Sequence, residues 1–208
     1  MKLYYLPIST YSQKVALGLY ELGLEFEPVV LSQPSAPENP GPFGKMPALR
    51  TDAGAVLYES TSILEHAGDL TTDGRRLVPR DDTEAREARH WDRLADLYLN
   101  NPCATLFFDA RKPVEARDAE AVKRAERHID AFYALAEVQL AGKSFVVGDA
   151  PSIADCAMMA GLALASRVRP FHQHPAIRGY FVRFAERPSF ARVQAEALPM
   201  WKRMESAA

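Results

Sequence analysis

The stretch TTDGRRLVPRDD, residues 71–82, separates two parts of the chain that cannot share one architecture. Before it, short apolar runs alternate with turn-forming residues and two helical patterns. After it, apolar residues recur at three- and four-residue spacing, the period of helices. A polar segment carrying Pro79 is the natural linker between them. The expectation is an α/β domain over residues 1–78 and an all-helical domain over residues 83–208.

In the first part, residues 2–6 predict a short buried strand. Residues 12–23 predict a helix with Val15, Leu19 and Leu22 on one face and Gly23 at its end. EFEPVVL, residues 25–31, predicts a second strand, which Pro28 confines to a sheet edge because proline has no N–H to donate. Residues 32–46 hold four prolines and two glycines and predict a loop. Residues 47–59 predict two short strands around a turn at Asp52–Gly54, after which Ser60 is expected to cap a helix. The order is β-α-β-loop-β-β-α, a small unit that needs cover for its faces.

In the second part, residues 83–111 predict a long helix with Ala88, Trp91, Ala95 and Tyr98 on one face, kinked or broken at Pro102. Residues 115–141 repeat Val122, Ala125, Ile129, Phe132, Ala136 and Leu140 at helical spacing. SIADCAMMAGLALA is apolar nearly all round and predicts a central buried helix, opened by Ser152 as cap with Asp155 in the reciprocal position three residues on. Further helices are expected over residues 175–187 and 189–205.

Bulk properties exclude several functions. The chain is 48% hydrophobic and 25% charged, enough for a sizeable core and against disorder. A net charge of −2, divided as −3 over residues 1–78 and +1 over the rest, lacks the basic excess of a nucleic-acid binder. No apolar run is long enough to span a membrane, and the N-terminal run breaks at Pro7, so neither a membrane partner nor a leader is expected. Cys103 and Cys156 lie in separate helical patterns without CxxC spacing, as expected of buried reduced thiols in a cytoplasmic protein. His172 and His174 have no third ligand at metal-site spacing, so no metal is expected.

Three constellations carry chemistry. STYSQKV, residues 9–15, gathers Ser9, Thr10, Tyr11 and Ser12 between the first strand and the first helix. One hydroxyl suffices to cap a helix. Another is available to donate to an anion held by the helix N-terminus, where free N–H groups and the dipole favour negative charge. A thiolate is such an anion, and this setting would lower its pKa. Ser9 follows the strand most closely, with Tyr11 and Ser12 as rivals. No GxSxG motif marks Ser9 as a nucleophile. In GKMPAL, residues 44–49, the Met46–Pro47 bond joins loop to strand; in a cis form it would present the Met46 backbone to a peptide-like ligand. In YESTSI, residues 58–63, Glu59 suits an ammonium, and Ser60 with the helix start suits a carboxylate. Lys45 suits a second carboxylate.

The order of these motifs resembles the soluble glutathione transferases over essentially the whole chain. LYYLPIS is similar to that family's first strand and catalytic loop, and NPGPFGKMPAL to its NPxGKVPAL loop with a cis-proline. LYESTSILEH resembles its L-x-E-S-x-A-I segment, and VGDAPSIADC its GDxPSIAD segment. The family usually carries a small aliphatic residue where Met46 stands and alanine where Ser62 stands.

The resemblance implies a thioredoxin-like domain followed by a helical one, with glutathione as co-substrate and no metal. Ser9 would hydrogen-bond the glutathione thiolate and Met46 would pair with the cysteinyl backbone beside Pro47. Glu59 and Ser60 would hold the γ-glutamyl end and Lys45 the glycyl carboxylate. Tyr11, Asn101, Thr105 and Phe108 would line a pocket for a small hydrophobic electrophile. A homodimer is implied, with residues 57–66 of one subunit facing residues 86–98 of the other. The absence of cysteine at position 9 favours conjugation or isomerisation over redox variants. The alternatives are a non-enzymatic interaction module and a carrier of hydrophobic ligands.

Overall fold

A computed structural model describes residues 1–206 of the chain; the last two residues of the expected helical domain lie outside the described residues. The elements are β1 (Lys2–Tyr5), α1 (Thr10–Glu21), β2 (Glu27–Val30), β3 (Ala48–Arg50), β4 (Val56–Leu57), α2 (Ser60–Asp69), α3 (Asp82–Ala95), α4 (Asn101–Asp109), α5 (Ala119–Gln139), α6 (Ile153–Val168), α7 (Pro175–Ala185) and α8 (Pro188–Ser206). They form two compact units, one of residues 1–78 with 186 onward, the other of residues 79–185. This partition differs from the expected one in a single element, α8.

In the first unit the sheet has the order β2-β1-β3-β4. β1 runs parallel to β2 and antiparallel to β3, and β3 is antiparallel to β4. Pro28 sits opposite Leu3 on the edge strand, where a missing N–H is tolerated. Because β1 and β4 point the same way and each feeds a helix, α1 and α2 begin at the same end of the sheet. Val15 and Leu19 are fully buried, and Leu22 nearly so. A side chain at Gly18 would meet Leu64 Cδ2 at 2.4 Å and Leu77 Cδ1 at 2.8 Å, so glycine lets α1 and α2 approach closely without moving either leucine.

Helix α8 joins this unit through polar contacts that no periodicity announces. Glu196 accepts hydrogen bonds from Tyr5 Oη at 3.1 Å and Tyr20 Oη at 2.5 Å. The Arg192 guanidinium lies 4.1 Å from the Tyr20 ring centre. Arg187 reaches Glu21 with both Nε at 2.7 Å and Nη2 at 2.6 Å, and Ser189 donates to the same carboxylate. Burial pushes both phenols well above their ordinary pKa.

The second unit packs α3–α7 around α6, whose residues 153–162 are all buried. Ser152 and Asp155 form the expected capping box. Asp155 is fully buried and accepts from the N–H of Val146 and Ser152, both at 2.9 Å, from Ser152 Oγ at 2.8 Å and from Tyr180 Oη at 2.9 Å. Burial pushes its carboxyl pKa up, against the pull of these four donors. The expected break at Pro102 takes another form. Asp96–Asn100 makes one π-helical turn, and Pro102 stands in the first turn of α4, where its missing N–H is harmless. Asn100 there donates to the Ala157 carbonyl at 3.1 Å, opposite Gly161, where a Cβ would meet Leu99 at 2.6 Å. Cys103 and Cys156 are buried and form no disulfide, and burial pushes the Cys103 thiol up to about 12.

Candidate active site

The site is built where β1 ends and α1 begins. Ser9 is the N-cap of α1, with φ −74° and ψ 127°. Its N–H donates to the Leu6 carbonyl at 2.9 Å, and its carbonyl accepts from Gln13 N–H at 2.8 Å. Its hydroxyl oxygen accepts from Ser12 N–H at 3.5 Å, a long bond. Capping uses the oxygen of this half-buried serine and leaves its O–H able to donate.

The other hydroxyls are placed differently. Ser12 is fully buried, and its Oγ accepts from Leu6 N–H at 3.2 Å. Thr10 is buried, whereas Tyr11 is half-buried. Gln13 donates to the Pro7 carbonyl at 2.8 Å. Ser12 and Gln13 thus pin the loop from its protein side and leave Ser9 on its outer side. Gln13 had no signal in the sequence, because its partner is a backbone carbonyl.

The loop before β3 is organised by Asn39, another residue not singled out in the sequence. Its Nδ2 donates to the carbonyls of Pro34 at 2.7 Å and Lys45 at 2.9 Å, and its Oδ1 accepts from Gly41 N–H at 3.0 Å. Lys45 itself is exposed. The Met46–Pro47 bond is cis. The β1–β3 pairing ends at Tyr4 and Ala48, so residues 46 and 47 run on past the ladder. Met46 packs its side chain with Leu31 and Ala36 against Tyr4, Leu6 and Val29, which accounts for a larger side chain at this position.

The start of α2 corrects one expectation. Glu59, not Ser60, occupies the cap position; Ser60 is the first helical residue and is buried. Glu59 has φ 65° and ψ 118°, and its side chain makes no capping bond. It is the sole non-glycine with positive φ among the described residues. A side-chain residue held there is strained and tends to mark a site where its direction matters. Its carboxylate is exposed, and the first-turn amides of α2 receive no side-chain cap from it. The parallel course of β1 and β4 sets this start at the same end as Ser9.

In the second unit, Asn101, Thr105 and Phe108 share one face of α4. Asn101 and Phe108 are exposed, and Thr105 Oγ1 donates to the Asn101 carbonyl at 3.1 Å. Among the described residues, no group of three or more His, Cys, Asp or Glu is arranged to hold a metal ion, and no helix is long and apolar enough to cross a membrane.

The four-stranded mixed sheet with α1 and α2, and a cis-proline before β3, define a thioredoxin-like domain. Comparison names the branch. Residues 3–73 match the glutathione S-transferase N-terminal domain, and residues 94–188 the glutathione S-transferase C-terminal domain. The chain is 26% identical to a glutathione S-transferase of Pseudomonas putida, over 94% of this chain and 92% of that protein. It is 29% identical to glutathione S-transferase 3 of Zea mays, over 96% and 95%. A solved glutathione S-transferase from Methylobacterium radiotolerans, in complex with glutathione sulfonate, superposes with TM-score 0.82 at 29% identity, covering 92% of this chain and 93% of that one. The chain belongs to the glutathione S-transferase family and is a glutathione transferase.

Proposed function

We propose that the first unit binds glutathione across the starts of α1 and α2 and ionises its thiol beside Ser9. The observation that carries this reading is the hydroxyl of half-buried Ser9, which accepts a weak cap bond at 3.5 Å and keeps its hydrogen for a ligand. A donated hydrogen bond and the positive end of α1 both favour the thiolate and lower the thiol pKa. The thiol proton passes to solvent. The thiolate then attacks the electrophilic carbon of a small hydrophobic co-substrate, forming a C–S bond as the leaving group departs with its electron pair. The protein's contribution is to generate the nucleophile and hold it in place.

Glu59 takes the γ-glutamyl ammonium, while Ser60 and the first turn of α2 take its carboxylate. Met46 pairs its backbone with the cysteinyl residue, and Lys45 meets the glycyl carboxylate. The complex of the Methylobacterium radiotolerans relative with glutathione sulfonate supports this assignment of ligand. For the electrophile we assign the α4 face of Asn101, Thr105 and Phe108, with Tyr11 as the rival hydroxyl at the thiol. A homodimer belongs to the same proposal and is tested by sedimentation.

Calorimetric titration of wild type and of a Glu59→Ala, Ser60→Ala double variant with millimolar glutathione tests the binding mode. Saturable heat in the wild type and its loss in the variant are expected. Equal binding by both would overturn the γ-glutamyl assignment, and no binding by either would overturn the reading as a whole.

A further inference from the structure

Lys14 is the least expected residue in the first unit. It sits on α1 in the run KVALGL, and it is completely buried. Apolar side chains fill such positions without penalty, whereas an ammonium withdrawn from water must be held by hydrogen bonds or charge. The Lys14 ammonium donates to Thr61 Oγ1 at 2.9 Å. Thr61 is the second residue of α2 and directly follows Glu59 and Ser60. The buried Lys14 side chain is therefore joined to the first turn of α2.

The place of this bond in the helix pair gives it a consequence. One turn further along both helices, Gly18 lets Leu64 close against α1. Lys14 with Thr61, and Gly18 with Leu64, are successive rungs between helices that run in the same direction. The first rung is the one nearer the helix starts. Ser9 lies five residues before Lys14, and Ser60 immediately precedes Thr61. The Lys14–Thr61 bond thus ties the element that carries the thiol-activating hydroxyl to the element that carries the γ-glutamyl pair. A hydroxyl that accepts from an ammonium is also polarised into a stronger donor.

We infer that Lys14 is a positioning residue for the γ-glutamyl end of the ligand: acting through Thr61, it fixes the first turn of α2 against α1. This rests on the glutathione reading above and goes beyond it, because neither residue need touch the ligand.

The test is calorimetry with glutathione and with S-methylglutathione, which has no ionisable thiol, on wild type, Lys14→Met, Thr61→Val and Thr61→Ser. Thr61→Val keeps the shape and removes the hydroxyl, while Thr61→Ser keeps the hydroxyl. Both ligands are expected to bind about tenfold more weakly to Lys14→Met and Thr61→Val, the scale of one lost hydrogen bond to a charged group. Thr61→Ser is expected to bind within about twofold of wild type, because its bond to the ammonium survives. The ultraviolet thiol titration of bound glutathione is expected to stay at the wild-type position in Thr61→Val. A Thr61→Val protein that melts earlier yet binds S-methylglutathione like wild type would overturn the inference and leave the bond purely structural. If Lys14→Met does not fold, the Thr61 pair decides alone. If wild type binds neither ligand, the glutathione reading fails first; if wild type binds and Thr61→Val equals it, only the positioning role fails.

Discussion

Three helices of this protein begin with a serine at or beside the cap, and they begin in opposite ways. At α6, Ser152 and Asp155 are 1% and 0% exposed, and the carboxylate is saturated by four donors. At α1, the Ser9 cap bond is long and the residue is half-buried. At α2, the cap residue Glu59 has positive φ and no capping bond at all. A closed start spends every polar group on the fold. An open start caps its first turn weakly or not at all, and that is what an anionic ligand needs. The α6 start serves the fold, and the starts of α1 and α2 are the ones we propose for binding.

The contrast can be broken most severely at the closed start. Asp155→Ala leaves buried donors without an acceptor and is expected to destabilise the protein by about 3–5 kcal/mol. Urea unfolding measures this, and glutathione affinity of the folded fraction is expected to stay unchanged. A small stability loss with weakened binding would reverse the roles assigned to the two kinds of start. At the open start of α2, Glu59→Gly and Glu59→Ala both remove the carboxylate, but only glycine relieves the positive φ. The glycine variant is expected to be more stable than the alanine variant by about 1 kcal/mol, with both weak in glutathione binding. Equal stability would mean that the backbone at Glu59 carries no strain.

Smaller effects sharpen the comparison within α1. Ser12→Ala removes the buried acceptor of Leu6 N–H and is expected to lower stability by about 1 kcal/mol. The thiol pKa of bound glutathione is expected not to move; a shift there would give Ser12 a share in activation. Smallest of all is the response of Cys103 and Cys156 to a thiol reagent at neutral pH. Both are buried, and the Cys103 thiol is held near 12, so no modification is expected until the protein is unfolded. Rapid labelling of the folded protein would contradict the closed packing of the helical unit.

Much of the fold is legible in the sequence because its signals are local. Pro28 announces an edge strand, Gly23 a helix end, and the SIAD stretch a capping box. What the sequence conceals is set by distant partners. Helix α8 joins the first unit because Glu196 and Arg187 meet Tyr5, Tyr20 and Glu21, and helical periodicity says nothing about which neighbour a polar face chooses. The π-helical turn stands directly before Pro102, where the sequence predicts a kink or break, whereas the bond from Asn100 across to Ala157 is again a long-range choice. In the site, Ser9, Met46, Glu59 and Ser60 are singled out by their places at two helix starts and beside a proline, in an order that resembles the family. Gln13 and Asn39 do not, because they serve backbone carbonyls. Lys14 reads as an ordinary surface lysine until Thr61 is found opposite it.

The central claim is that the open start of α1 holds a thiolate through Ser9. The most direct test is the ultraviolet thiolate absorbance of bound glutathione as a function of pH, in wild type and in Ser9→Ala. The account predicts a thiol pKa below the ordinary value of about 8.5 in the wild type, returning toward that value in the variant. A depressed pKa that survives the loss of Ser9 would contradict it and assign the thiolate to Tyr11 or to the helix end alone.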